Sequence, residues 1–109
     1  MLSFLGYRVG ELQPTSPEIR LQILEYAFEC YLPPLIDFTY HREWSEPLTA
    51  PRLKKIADSL ASFARNAKRR NMHSWTRAID DWETDLEFLF QKYYRDYFHF
   101  WWPTTGVFH

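Results

Sequence analysis

The sequence has few of the residues on which several common protein classes depend. Its single cysteine, Cys30, excludes an internal disulfide and also a zinc site with four cysteine ligands or with two cysteines and two histidines. Only 3 glycines occur, all near the ends, so the middle of the chain lacks the turns of a multi-stranded sheet. No apolar run approaches the roughly 20 residues of a membrane span. The first residues also lack the pattern of a signal peptide, so we expect a cytoplasmic protein without membrane association.

Strong net charge is also lacking, whereas aromatic residues are in excess. With 13 Lys and Arg against 14 Asp and Glu, the formal net charge is −1, and global charge drives no association with nucleic acid or membrane. Hydrophobic residues make up 46% of the chain and charged residues 25%, as in soluble globular domains. Aromatic residues reach 19%. The length of 109 residues predicts a single domain over residues 1–109.

The proline positions leave room for a first helix that begins at Ser16 and ends before Pro33. The Ser16 hydroxyl is suited to cap a free backbone N–H, and Pro17 occupies the first helical position, where its missing N–H costs nothing. The residues expected on the inner face of this helix, from their helical spacing, are Ile19, Ile23, Tyr26 or Ala27, and Cys30, widened by Leu24 and Phe28.

Two further helices are predicted over about residues 49–70 and 74–94. The apolar stripe of the second helix comprises Leu53, Ile56, Ala57, Leu60, Ala64 and Ala67. The inner face expected for the third helix comprises Trp75, Ala78, Ile79, Trp82, Leu86, Leu89, Phe90 and Tyr93. A short link over 71–73 makes these helices an antiparallel hairpin. The predicted fold is all-α, a compact three-helix core with an ordered aromatic C-terminal tail.

A basic cluster lies around the end of the second helix and the start of the third. Its members are Arg65, Lys68, Arg69, Arg70 and Arg77. Such a cluster can neutralise phosphates, which suggests weak nucleic-acid binding. It also suits the helix dipole, because cations stabilise a helix C-terminus and the acids in the first half of the third helix offer partners across the hairpin. The balanced net charge favours the structural interpretation.

Aromatic side chains are concentrated near the C-terminus, in a segment over residues 97–109 that we call the tail. The aromatic residues predicted to form a protein interface are Phe88, Tyr97, Phe98, Phe100, Trp101 and Trp102. Tryptophan and tyrosine are enriched in interface hot spots, which favours contact with another protein or self-association. The alternative is that the tail folds back and completes a small core, and both can hold together.

Catalytic and metal-binding patterns are weak. The loop around His41 contains Asp37, Glu43 and Glu46, which are metal-ligand residue types, yet no HExxH motif or second cluster closes a site. Cys30 is expected to be a small buried hydrophobe rather than a nucleophile. We therefore predict no enzyme activity, no cofactor and no metal. A small metal-dependent nuclease using His41 and His73 remains a further alternative.

Five segments of the chain, taken together, also resemble a known helical domain. The segments that carry the resemblance are Gly6–Gly10, Ile19–Leu24, Arg52–Ala57, Ser62–Arg70 and Ala78–Leu89. Together they resemble a small uncharacterised helical domain of bacterial and mobile-element proteins, often C-terminal to another module, over residues 5 to about 95. That resemblance implies an accessory or interaction domain of a defence or counter-defence system. The leading hypothesis is a non-enzymatic interaction module, and the alternative is an accessory domain that contacts nucleic acid.

Overall fold

Three α-helices form the framework of the described chain. The computed structural model describes residues 7, 9–10, 15–30, 45–70 and 75–106. Helix α1 runs over Pro17–Glu29, α2 over Ala50–Arg70 and α3 over Thr76–Leu89, and a π-helical turn over Phe90–Tyr94 continues α3. Within these ranges no residue lies in a β-strand. The predicted all-α fold with a three-helix core and an ordered tail is confirmed.

The start of α1 follows from its first two residues. Ser16 Oγ accepts a hydrogen bond from the Ile19 N–H at 3.4 Å, and Pro17 fills the first helical position, as predicted. At the other end, the Cys30 N–H donates to the Tyr26 carbonyl at 3.0 Å, and Cys30 itself takes up an extended conformation that ends the helix. The position of α1 in the sequence was therefore predictable from its capping residues.

The inner face predicted for α1 is confirmed at Leu24, Phe28 and, of the two alternatives Tyr26 and Ala27, at Ala27, but it is wrong at Ile19 and Cys30. Ile19 is 45% exposed and Tyr26 39% exposed, and Cys30 is exposed instead of buried. The side chains that α1 buries are Arg20, Leu24, Ala27 and Phe28. The buried face is therefore shifted towards the edge of the predicted stripe that holds Leu24 and Phe28. Burial of the charged Arg20, which no apolar pattern signals, accounts for the difference.

Helix α2 supplies the centre of the core with the stripe that the sequence predicts. All six predicted residues are buried, with at most 2% of Ala67 exposed, and Ala61 joins them. A fully buried leucine such as Leu53 or Leu60 contributes about 1.5–3 kcal/mol relative to an exposed one. The alanines at 57, 61, 64 and 67 are small and allow another helix to approach closely.

Helices α2 and α3 form the predicted antiparallel hairpin. The Arg70 guanidinium lies 5.9 Å from the centroid of Trp75, whereas Phe63, two turns earlier on α2, contacts the ring of Trp82 at 5.7 Å. The end of α2 thus lies beside the start of α3, and earlier residues of α2 lie beside later residues of α3, as in an antiparallel pair. The hairpin brings the basic end of α2 beside the start of α3.

The predicted third helix changes its geometry near its end. Regular α-helix stops at Leu89, and the Arg95 N–H then bonds to the Phe90 carbonyl at 3.0 Å, which is the i to i+5 spacing of a π-helical turn. Tyr93 in this turn is buried. The N–H groups of Tyr97 and Phe98 both donate to the Tyr94 carbonyl, so the turn fixes where the tail leaves the helix.

Candidate interaction surfaces

The described part of the tail, residues 97–106, packs one set of aromatic side chains on the helices and exposes another. The half-buried side chains are Phe98, Phe100 and Trp102. The exposed side chains are Tyr97, His99 and Trp101. The rings of Phe98 and Phe28 meet edge to face, with centroids 6.3 Å apart. The alternation gives the tail an inner face, which completes the core, and an outer face, which is open to solvent.

Tyr94, in the π-helical turn, is the residue on which the inner face of the tail packs. Its ring lies 4.7 Å from that of Trp102 and 5.0 Å from that of Phe100, and it also contacts Phe90 at 5.2 Å. The Tyr94 hydroxyl donates a hydrogen bond to the Phe100 carbonyl. Aromatic contacts of this kind are each worth about 0.5–1.5 kcal/mol beyond the area they bury. The tail is therefore held on the π-helical turn by packing and by a hydrogen bond.

Two members of the basic cluster hold the far end of the tail. Arg65 Nη1 donates to the Thr104 carbonyl at 2.6 Å, and Lys68 Nζ donates to the Thr105 carbonyl at 2.9 Å. Lys68 Nζ also lies 3.0 Å from Glu83 Oε1, an ion pair across the hairpin. This ion pair agrees with the structural interpretation of the cluster. Arg65 and Lys68 are thus already engaged within the chain.

The outer face of the tail exposes two large aromatic side chains. Trp101 is 88% exposed and Tyr97 is 73% exposed, the two highest values among the large hydrophobic residues that the structure describes. Phe88, the other predicted interface residue, is half-buried, and the Lys92 ammonium lies 5.7 Å from its ring centroid. The predicted interface set is therefore split between two faces of the tail and the side of α3.

The other members of the basic cluster are exposed. Arg69 and Arg70 end α2, and Arg77 lies in the first turn of α3. The Arg70 guanidinium stacks towards Trp75, which is half-buried. These three arginines lie on the same end of the hairpin, and they are the cluster members best placed to meet an anion.

Arg70 also lines a cleft of about 230 Å³ that no sequence pattern predicted. Its lining consists of Phe63, Asn66, Ala67, Arg70, Trp75 and Trp82. Trp82 is 7% exposed, whereas Phe63 is 44% exposed. The sequence assigned both tryptophans to the inner face of α3. The one sequence signal for the cleft is Phe63, a large aromatic residue that flanks the apolar stripe of α2 without belonging to it.

A buried ionic network joins the N-terminal segment, α1 and α3. Arg20 Nε donates to Asp85 Oδ2 at 2.8 Å, and the Tyr7 hydroxyl donates to the same oxygen at 2.6 Å. Arg20 Nη2 also lies 3.6 Å from Asp81 Oδ1. Asp81 Oδ2 accepts the N–H of Gly10, whose φ of 94° favours glycine. By sequence, Asp85 belongs with the other acids in the first half of α3, and no local pattern predicted its place in this network.

The network is built for stability more than for chemistry. Burial, followed by the charge and hydrogen bond of Asp85, raises the pKa of Tyr7 far above its usual range. Burial alone would lower the pKa of Arg20, but the hydrogen bond and charge of Asp85 outweigh it and the pKa is raised. No buried side-chain nitrogen or oxygen in the described ranges lacks a hydrogen-bond partner. Tyr7 and Arg20 therefore keep their protons and offer no general base.

A second buried cation, Arg52, joins the end of α1 to the start of α2. Its guanidinium donates to the carbonyls of Ala27 at 2.6 Å, Cys30 at 3.2 Å and Ser45 at 2.6 Å. Two of these carbonyls lie in the last turn of α1 and at its C-cap, so Arg52 satisfies acceptors that the helix leaves open. Burial lowers the pKa of Arg52 from its usual value. No local sequence pattern signals this contact, because it depends on how α1 and α2 meet.

The residues suggested for metal chemistry are largely beyond the described structure. His41 and His73, on which the nuclease alternative depends, lie outside the described residues, as does most of the acidic loop around His41. Among the residues that are described, no group of three or more His, Cys, Asp and Glu side chains is placed to hold a metal ion. His99 is exposed on the outer face of the tail.

Two candidate surfaces thus stand out in the described part of the chain, the aromatic outer face of the tail and the cleft that Arg70 lines. No helix in the described ranges is both long enough and apolar enough to cross a membrane. Comparison with known proteins finds no matching family model, no matching curated protein and no matching solved structure.

Proposed function

We propose that this chain is a non-enzymatic protein-interaction module whose contact is centred on Trp101. The observation that carries the proposal is the 88% exposure of this side chain on a tail whose alternate residues Phe98, Phe100 and Trp102 are docked. Tyr97, also on the outer face, extends the contact. Tryptophan and tyrosine dominate the binding energy of protein interfaces, because each buries a large area with few rotatable bonds.

The docked inner face supports the proposal because it holds Trp101 in place before binding. Phe100, the residue before it, and Trp102, the residue after it, both pack on Tyr94, with ring centroids 5.0 Å and 4.7 Å away, and Arg65 binds the Thr104 carbonyl further along the tail. A side chain carried by an ordered backbone loses less conformational entropy on binding than one on a loose terminus. The same two sets of contacts keep the inner aromatic residues from competing for the partner.

The surroundings of the exposed aromatic residues suit the rim of an interface. His99 lies between them on the outer face, and Arg95 and Asp96 are exposed at its start. Arg95 Nε lies 3.6 Å from Asp96 Oδ1, an exposed ion pair. An apolar centre with polar groups around it is the usual arrangement at a transient protein interface.

The test is a comparison of Trp101→Ala with Trp102→Ala. Trp101→Ala is expected to abolish association while leaving the free energy of unfolding within about 0.5 kcal/mol of wild type. Trp102→Ala is expected to lower that free energy by roughly 2 kcal/mol, less than for a fully buried tryptophan. Sedimentation at increasing concentration measures self-association, and affinity capture from the native host followed by binding to the purified candidate measures a partner.

The matched control is Ile19→Ala, which removes another exposed apolar side chain, on α1 and away from the tail. It is expected to keep the association of the wild-type chain. The proposal is wrong if wild-type protein is strictly monomeric and binds no purified candidate. It is also wrong if Trp101→Ala and Ile19→Ala bind a partner equally well.

The resemblance of the sequence motifs to a helical domain of bacterial and mobile-element proteins suggests a setting for such a module. We infer an accessory role in a defence or counter-defence system, where the module brings another component to its site of action. Neighbouring genes test this inference. Repeated proximity to nucleases, helicases or phage genes supports it, and a constant metabolic neighbourhood contradicts it.

A further inference from the structure

The cleft between α2 and α3 suggests a binding activity separate from the protein contact at Trp101. We propose that this cleft binds one base of single-stranded nucleic acid, with Arg69 and Arg70 contacting the adjacent phosphates. Nothing in the tail takes part in this site, so the proposal is independent of the proposed protein contact.

The aromatic geometry of the cleft suits a planar ring. Phe63 and Trp75 both lie against Trp82, with ring centroids 5.7 Å and 6.3 Å from it. Trp82 and Ala67 are buried and form the floor, whereas Phe63 and Trp75 remain partly open to solvent. A base entering the cleft therefore meets apolar ring surface from more than one side. Every nucleobase has such a face, so stacking tolerates different sequences.

Two polar side chains complete the lining. Asn66 is exposed and carries both hydrogen-bond donors and an acceptor, which matches the mixed edge of a nucleobase. The Arg70 guanidinium lies 5.9 Å from the centroid of Trp75, so it covers part of the aromatic wall with a positive charge. A planar cation at this position favours a ligand that combines an aromatic ring with negative charge.

The charges around the cleft favour a phosphate backbone but limit its affinity. Arg69, Arg70 and Arg77 are exposed on this end of the hairpin, whereas Asp80 is exposed one turn further along α3. Glu83 is engaged by Lys68 at 3.0 Å and so opposes the ligand less. Arg77 projects from the opposite side of α3, so the two phosphate contacts of Arg69 and Arg70 give a log–log salt slope of about −1.4 for a single strand. Binding is thus expected to be weak and strongly reduced by salt.

A base within a duplex is a poor occupant, because it is stacked and paired and its ring faces are covered.

The other class of occupant is an aromatic side chain of a partner protein. Phosphates would supply a counter-charge for the arginines at the cleft. A purely apolar side chain would not. Single-stranded nucleic acid therefore fits both the ring surface and the charge.

The experiment measures fluorescence anisotropy of labelled oligothymidine, the matching duplex, and an abasic strand of equal length and charge. Wild-type protein is expected to bind oligothymidine more tightly than either of the others at low salt. Phe63→Ala is expected to weaken oligothymidine binding about 5- to 100-fold, the loss of one base–aromatic stack, without changing binding of the abasic strand. Asn66→Ala, a small change at an exposed position, is a second cleft variant and is expected to weaken oligothymidine binding in the same direction.

Two matched controls separate the cleft from the rest of the surface. Ile19→Ala removes an apolar side chain that is 45% exposed, against 44% for Phe63, and is expected to bind like wild type. Arg69→Glu is expected to weaken binding far more than Lys92→Glu, although both reverse one charge. Trp101→Ala is expected to bind oligothymidine normally, so failure of one proposal is distinguishable from failure of the other.

Three results would overturn the proposal. The first is equal affinity of wild-type protein for oligothymidine and the abasic strand, which means that no base is bound. The second is an equal effect of Phe63→Ala on both strands. The third is absence of binding at low salt together with saturable binding of a tryptophan-containing peptide that Phe63→Ala abolishes, which assigns the cleft to a protein partner.

Discussion

Arg20 on α1 and Asp85 on α3 form an ion pair inside the protein, with Arg20 Nε 2.8 Å from Asp85 Oδ2. The two side chains are only 4% and 1% exposed. A second bond joins Arg20 Nη2 to Asp85 Oδ1 at 3.3 Å, so the guanidinium meets the carboxylate with two nitrogens. This pair fixes which side of α1 faces α3.

Removing one partner of this pair is expected to be far more harmful than removing both. Arg20→Met or Asp85→Leu alone leaves an uncompensated charge in the interior and is expected to lower the free energy of unfolding by about 3–5 kcal/mol. In a Tyr7→Phe background, which removes the other donor to Asp85 Oδ2, the double variant is expected to lose less than either single change. Urea unfolding gives the values, and additive losses would contradict the coupling.

Stability is expected to fall in alkaline solution because the pKa of Tyr7 is raised in the folded protein. Below about pH 10, Tyr7 is protonated in both folded and unfolded chains. Above it the unfolded chain loses the proton and the folded chain keeps it, so the free energy of unfolding falls by about 1.4 kcal/mol per pH unit. Tyr93 donates to Glu29 at 2.5 Å, and burial followed by this bond raises its pKa similarly.

Urea unfolding between about pH 8 and 11 measures this dependence. Tyr7→Phe is expected to be less stable than wild type at neutral pH, through loss of a hydrogen bond to a charged group worth about 1.5–3 kcal/mol. Its alkaline slope is expected to be shallower by about one proton. Tyr97→Phe, which changes an exposed tyrosine, is the matched control and is expected to keep the wild-type slope. An unchanged slope for Tyr7→Phe contradicts the prediction.

Arg52→Met is expected to lower the free energy of unfolding by about 3 kcal/mol, because three carbonyls at the junction of α1 and α2 lose a donor. Arg52→Lys keeps the charge but lacks the planar fork of donors, and an intermediate loss is expected. The control is Lys54→Met, two residues later on α2, which removes an exposed i, i+4 ion pair with Asp58 worth a few tenths of a kcal/mol. Equal effects at 52 and 54 would contradict the assigned role of Arg52.

Chelation is expected to leave the melting temperature unchanged. The prediction follows from the sequence, in which neither Cys30 nor the histidines have the spacing of a closed metal site. Elemental analysis of purified protein and melting with and without a chelator measure this. A stoichiometric metal, or a marked fall in melting temperature with the chelator, would revive the site around His41 and His73.

Several structural features were predictable from local sequence. Ser16 and Pro17 mark the start of α1 because a cap and a missing N–H act over one turn of chain. The stripe of α2 from Leu53 to Ala67 predicts the core because its apolar period matches the helix. The tail was expected to dock on the core, on a partner or on both, and its docking on the core is now observed.

Other features involve residues that are distant in the sequence. Arg20 and Asp85 are polar, so hydrophobic periodicity assigns both to solvent, and only their meeting across α1 and α3 makes burial favourable. The division of the tail into Trp101 outside and Trp102 inside likewise depends on Tyr94 and the π-helical turn. Composition alone does not distinguish two adjacent tryptophans.

The sequence by itself determined the helical class, the start of α1 and the stripe of α2, since capping and periodicity act within a few turns of chain. Tertiary structure alone decided the inner face of α1, the exposure of Trp101 and the cleft beside Phe63. Each of these depends on groups from different helices that come together only in the folded protein. Their energies belong to pairs such as Arg20 with Asp85, and a pair has no signature in either residue alone.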